Sequence, residues 1–374
     1  MNPTSEHLAA AAGEPSELQR LIADSVERLF ADLIDAERLA AFETGTPDPQ
    51  LWRSVAAQGL PAALVGESAG GSGARWSEVG PLLRAIGYWQ APLPLAESML
   101  AGALLDRAGL AIPEGPLTIV QAGRHGDLRL CADGRRLGGS VSRVPWARDC
   151  HWLVVVGVER QLALVDLRQA AVRLEAGSNY AAEPLDRLHL EDAGIAALAA
   201  QPLDELDEPA WTLGALARAC MLWGALEATL DKTVEYANQR VQFGKPIGRQ
   251  QALQQYLAQL AGAIGAARMA CQVALDSADA AFAGEPGGTL RLRFDVAVAK
   301  VCAGEAATLA CSVAHQVFGA IGFTREHSLH QATRRLWSWR DDFGSDSQWA
   351  RLLGEAAIGA GSAGFWSGLC DRSL

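Results

Sequence analysis

Basic charge is in short supply. Against 43 Asp and Glu stand 32 Lys and Arg, giving a net charge of −11 and a pI near 5.2. Binding a phosphate backbone requires a basic face, so no nucleic-acid partner is expected. A nucleotide ligand needs only a local cluster of Arg or Lys and is not excluded. The seven Cys, at 131, 150, 220, 271, 302, 311 and 370, form no C-x-x-C pair and have no His at metal-ligand spacing. That pattern predicts buried reduced thiols, no metal centre and a cytoplasmic protein. The opening stretch MNPTSEHLAAAAGEPSE contains acids and no basic n-region, so no signal peptide is expected. Apolar runs are interrupted by charge or Gly short of spanning length, which predicts no membrane partner. Neither G-x-G-x-x-G after a strand nor a P-loop occurs.

What is present changes texture twice along the chain. Residues 17–40 place Leu18, Leu21, Ile22, Val26, Leu29 and Leu33 at helical spacing, and further helices are predicted near 51–59, 76–88 and 94–109. From about 115 to 205 come short β-rich runs broken by Gly and Asp, such as Leu117-Thr-Ile-Val and Trp152-Leu-Val-Val-Val; these predict a compact antiparallel sheet or barrel. Beyond Pro209, long Ala-rich helical patterns joined by short loops predict a four-helix bundle. The expected fold is α+β, mainly α. It comprises an N-terminal helical domain (1–114), a small antiparallel β domain (115–207) and a C-terminal four-helix bundle (208–374).

Chemistry concentrates in Arg240-Val-Gln-Phe-Gly-Lys-Pro-Ile-Gly-Arg-Gln-Gln251, between two helical patterns. Arg240 offers a permanent charge in a planar fork suited to pyrophosphate. Phe243 supplies an aromatic face for an adenine or ribose, and Gln250 and Gln251 add amides. A basic turn offsetting a helix dipole is the competing local reading. Gln316-Val-Phe-Gly-Ala-Ile-Gly-Phe-Thr324 reads locally as a helix C-cap with Gly319 or Gly322 left-handed. His327 and His330 lack a carboxylate or Cys to complete a metal set, which favours a hydrogen-bonding role, and His315 reads as a core residue. The Gly66–Gly73 loop reads as a tight turn. Buried core is the expected place for Trp337 and Trp339.

The Arg240–Gln251 run resembles the helix-turn-helix signature of the acyl-CoA dehydrogenase family. Thr233 and Tyr236 extend the match, and Leu51–Gly73 and Gln316–Thr324 are similar to two more of its signatures, with Ala320 where a second Gly is usual. The resemblance implies the order helical lobe, β domain, helical bundle. It also implies FAD bound mainly by a neighbouring subunit, with Arg240, Phe243, Gln250, Gln251, Gln316 and Gly319 holding its pyrophosphate and adenosine end. The implied reaction is α,β-desaturation of an acyl-CoA thioester, with an electron-transfer flavoprotein as acceptor. It requires a base for the α-proton while the β-hydrogen leaves as hydride. An ungapped match puts Phe343 at the position of the family's Glu base and Gly214 at the alternative one. Asp341 and Asp342 are neighbours; a solvated turn is the simpler reading, and Asp342 is the candidate for a displaced base. The segment that bonds the flavin ring is shortened to Leu117-Thr-Ile-Val-Gln-Ala-Gly-Arg124. These retentions and losses resemble the degenerate partner in a heteromeric branch acting on steroid or dicarboxylic thioesters. The alternatives are a self-sufficient homo-oligomeric dehydrogenase using Asp342, and a flavin-free scaffold.

Overall fold

A computed structural model describes residues 17–372 apart from 47, 159, 160, 202, 204, 205, 325 and 326. The N-terminal stretch read for targeting signals lies mostly outside the described residues. The helical lobe comprises α1 (Glu17–Leu33), α2 (Ala36–Glu43), α3 (Pro49–Ala57), α4 (Trp76–Tyr88) and α5 (Leu95–Arg107). The single helix expected over 17–40 is two. Asp35 takes an extended conformation and its carboxylate accepts from the Arg38 backbone N–H at 2.7 Å, which caps a fresh helix. The Asp48 carboxylate likewise caps α3, accepting from Gln50 N and Leu51 N at 3.1 Å each, and the first residue of that helix is proline.

Seven strands follow: β1 (Leu117–Gln121), β2 (Gly126–Leu130), β3 (Arg136–Pro145), β4 (Trp152–Val158), β5 (Gln161–Asp166), β6 (Val172–Glu175) and β7 (Leu185–Leu198). Their order is β1-β4-β5-β7-β3-β2, with β6 on β7. The sheet departs from the antiparallel expectation at one seam. β1 pairs with β4 in parallel, from Leu117 opposite Trp152 to Gln121 opposite Val156. Every residue of β1 is buried, as parallel strands covered on both faces require. Ser98 of α5 ties down its start, accepting from Leu117 N at 2.9 Å and donating to Leu117 O at 3.1 Å.

The C-terminal part consists of α6 (Pro209–Gln239), a hairpin of β8 (Val241–Gln242) and β9 (Lys245–Pro246), α7 (Gln251–Phe282), α8 (Gly288–Phe318), α9 (Leu329–Asp341) and α10 (Asp346–Asp371). α6 is the axle of the molecule, packed against α4, α7, α8 and α9. Two glycines permit its close crossing with α4. A Cβ on Gly87 would lie 2.6 Å from the Met221 carbonyl carbon, and one on Gly224 would lie 2.7 Å from Tyr88 N.

Contrary to expectation, α6 and the stretch Gly288–Phe323 are long and apolar enough to cross a membrane by length and composition. Of the α6 window, however, 89% is buried inside the protein. Core helices of a bundle satisfy the same test. Cys150, Cys220, Cys271 and Cys311 are buried as anticipated, whereas Cys131 and Cys302 are half-buried and Cys370 is exposed.

Candidate functional site

Two regions carry the residues singled out from sequence. The first is one end of the bundle. The ring of Tyr236, a turn before the end of α6, stacks on Phe318, the last residue of α8, with centroids 4.2 Å apart. This contact brings the ends of α6 and α8 together, so Arg240, Gln316 and Gly319 share one end with the hairpin. Arg240 caps α6 and its backbone N–H donates to Tyr236 O at 2.8 Å. Gln250 caps α7 and Gln251 opens it. All six residues predicted to hold a nucleotide are exposed.

Phe243 stands out among them. It occupies the tip of the β8–β9 hairpin with φ 52°, followed by Gly244 at 78°, and it is 95% exposed. Two consecutive positive φ values are those of the tight hairpin turn that prefers Asn-Gly. A bulky aromatic there is unfavourable for the backbone and is presented to the outside. Replacing Phe243 with Asn is therefore expected to leave the melting temperature unchanged or slightly raised. It is expected to lower flavin retention in any complex that uses this turn. Paired thermal and absorbance measurements on the variant check both halves.

The second region is the cleft between the sheet and the bundle. Phe343 follows α9 with φ 53° and packs on α6 at Gly214. A Cβ at Gly214 would sit 2.6 Å from Phe343 Cγ. The two positions at which the resemblance looks for a base are thus in contact, one without a side chain and the other filling its space. Trp211 lies edge-on to Phe343 at 6.1 Å, His125 is 5.5 Å from Trp211, and the Arg124 guanidinium lies over Trp211 at 4.6 Å. The space left between these rings, Ser142, Arg143 and Asp342 is about 30 Å³. That is room for a water or two, whereas organic ligands occupy pockets of roughly 300–1,000 Å³. The space against Phe343 and Asp342 is too small for a flavin ring.

Asp342 is not on a solvated turn, in contrast to the simpler expectation; Asp341 beside it is exposed. Asp342 is 6% exposed and accepts from Arg218 Nε at 3.1 Å and Arg143 Nη2 at 3.3 Å. Arg218, 3% exposed, also donates from Nη2 to Glu97 of α5 at 2.5 Å. Burial opposes the charge on Arg218, but Glu97 and Asp342 more than offset it, and its pKa is raised above the ordinary guanidinium value. Beneath the loop, Lys300 Nζ donates to the carbonyls of Trp339, Arg340 and Asp342 at 3.2, 3.0 and 2.9 Å. Burial pulls the Lys300 pKa down to about 7, with Asp342 opposing the shift. Both Asp342 oxygens therefore face guanidinium groups in place of an incoming acidic proton.

Sequence reasoning missed Glu97, Arg218 and Lys300. Each is a single charge inside an apolar run, Leu95-Ala-Glu-Ser-Met-Leu, Leu216-Ala-Arg-Ala-Cys-Met and Val298-Ala-Lys-Val-Cys-Ala. That is the signal by which a buried, paired charge is found. Of the histidines, His330 meets Glu43 at 3.5 Å and the His327 carbonyl at 2.8 Å, and His315 meets Thr333 Oγ1 at 3.2 Å. Trp339 is 1% exposed, as expected of core, whereas Trp337 is 41% exposed.

Comparison with known proteins agrees with this anatomy. Residues 210–344 match the acyl-CoA dehydrogenase C-terminal domain. The chain is 30% identical over 308 residues to acyl-CoA dehydrogenase FadE27 of Mycobacterium tuberculosis, covering 76% of this chain and 81% of that one. It is 29% identical over 326 residues to acyl-CoA dehydrogenase IpdE2 of the same organism, covering 86% and 91%. Among solved structures, a Tcur3481–Tcur3483 steroid ACAD variant superposes with a TM-score of 0.79 at 27% identity, covering 93% and 99%. The ChsE4–ChsE5 complex from Mycobacterium tuberculosis shares the fold with a TM-score of 0.80 at 23% identity, covering 92% and 98%. Sequence, architecture and relatives converge: the chain belongs to the acyl-CoA dehydrogenase family.

Proposed function

We propose that this chain is the chemically silent subunit of a heteromeric, FAD-dependent acyl-CoA dehydrogenase that desaturates a bulky, steroid-type acyl-CoA thioester in the cytoplasm. The observation that carries the reading is the Gly214–Phe343 contact. Desaturation needs a carboxylate aimed at the α-carbon, and both positions that would supply one are occupied by hydrogen and a phenyl ring. Asp342, the candidate displaced base, is held by Arg143 and Arg218, so the self-sufficient homo-oligomer has no free base at this loop.

The opposite end of the bundle remains equipped. Arg240 would hold the pyrophosphate of FAD seated mainly in a neighbouring subunit. Phe243 would pack on its nucleotide, with Gln250, Gln251, Gln316 and Gly319 at the adenosine end. FAD bound there supplies the two-electron acceptor of the reaction, reoxidised by an electron-transfer flavoprotein. The similarity to the ChsE4–ChsE5 complex and to a steroid ACAD supports a related acyl-CoA dehydrogenase chain as the partner.

Purified alone, the chain is expected to carry no stoichiometric flavin band and to show no substrate-dependent bleaching. Co-purified from its native host, it is expected to bring a homologous polypeptide and FAD with it. A flavin band in the isolated chain that bleaches with an acyl-CoA would defeat the silent-subunit reading.

A further inference from the structure

Away from both regions, a cavity of about 890 Å³ opens between the helical lobe and the sheet. Its size is that of a small-molecule site. α1, α2 and α3 form one wall, and the turn joining β3 to β4 forms the other. Trp52, Leu93 and Trp146 supply apolar surface, and Phe42 lies 5.6 Å from Trp146 across the junction. Trp146 holds φ 58°, a conformation uncommon for a bulky side chain.

The charge at this cavity is one-sided once internal pairs are removed. Arg38 is matched to Asp48 at 2.6 Å, and Arg148 is matched to Asp186. Asp32, Glu37 and Asp149 line the cavity with no ion pair among the described residues, and Asp35 is engaged only with the Arg38 backbone. Against them stand Arg53, whose Nε donates to the Pro49 carbonyl, and His151. Burial raises the pKa of Asp149, with Arg148 opposing and Asp186 adding to the shift; an incoming cation would relieve that cost.

We propose that this cavity binds an amphipathic organic cation, its apolar body against Trp52, Leu93 and Trp146 and its ammonium group among the unpaired carboxylates at the rim. The carboxylates favour a cation and reject an anion of the same shape. The site therefore differs in chemistry from one for an acyl-CoA, whose phosphates require positive charge.

The test is titration calorimetry of the full chain with dodecyltrimethylammonium below its micelle concentration, beside dodecanoate of equal chain length. The ammonium probe is expected to bind at least tenfold more tightly. Asp149→Asn and Glu37→Gln, neither of which breaks an ion pair among the described residues, are expected to keep the melting temperature while cutting the preference several-fold. Trp52→Ala is expected to weaken both probes. Equal binding of the two probes, binding of neither, or a preference untouched by both carboxylate variants would overturn the proposal.

Discussion

Replacing Arg218 with methionine is expected to destabilise the fold by about 3–5 kcal/mol, the usual cost of removing one partner from a buried ion pair. The guanidinium is 3% exposed and bridges Glu97 on α5 to Asp342 after α9, residues 121 and 124 positions away in sequence. Without it, Glu97 at 1% exposure has no ion-pair partner among the described residues, and Asp342 keeps the peripheral Arg143 and the Lys300 ammonium beneath the loop. Desolvating an unpaired carboxylate dominates the loss, because methionine would fill much of the vacated volume. Combining Arg218→Met with Glu97→Gln and Asp342→Asn is therefore expected to recover a substantial part of it. Chemical denaturation of the single and triple variants measures both quantities. A single variant as stable as the parent would show that the network does not anchor the Asp342–Phe343 loop.

Arg240→Ala is expected to behave in the opposite manner, leaving the isolated chain as stable as before and stripping flavin from the assembled enzyme. Arg240 is exposed, makes no ion pair among the described residues and contributes to its own fold chiefly through its backbone. Surface substitutions of this kind shift stability by about 0.5 kcal/mol or less. A charge-assisted bond from guanidinium to pyrophosphate contributes about 1.5–3 kcal/mol, so affinity for FAD should fall roughly ten- to a hundredfold. Arg240→Lys is expected to restore only part, since an ammonium lacks the planar fork. Flavin content and turnover of the reconstituted complex decide the matter. If both are unchanged by Arg240→Ala, the side chain is structural and the flavin-free scaffold becomes the better account.

Local signals were readable in the sequence, and non-local ones were not. The β-rich runs beginning at Leu117 and Trp152 became strands, because alternation and Gly or Asp breaks are properties of neighbouring residues. The Arg240–Gln251 turn emerged as a hairpin between two long helices for the same reason. Asp35 was overlooked as a cap because the apolar spacing of α1 runs on past it. The parallel β1–β4 seam depends on which helices cover the strands, and no local pattern encodes that. The role of Asp342 was misread since its partners come from α6 and β3, far along the chain. The cavity facing Trp146 was invisible because separate segments from two layers assemble it.

The interlock between Gly214 and Phe343 acts as a ratchet. No side chain can be placed at 214 until the phenyl ring has moved, and a carboxylate placed at 343 would find Arg218, 5.5 Å from the present ring, ready to neutralise it. Either change taken singly meets a penalty, so placing a working carboxylate at this spot takes coordinated substitutions at both positions and at the guanidinium facing them.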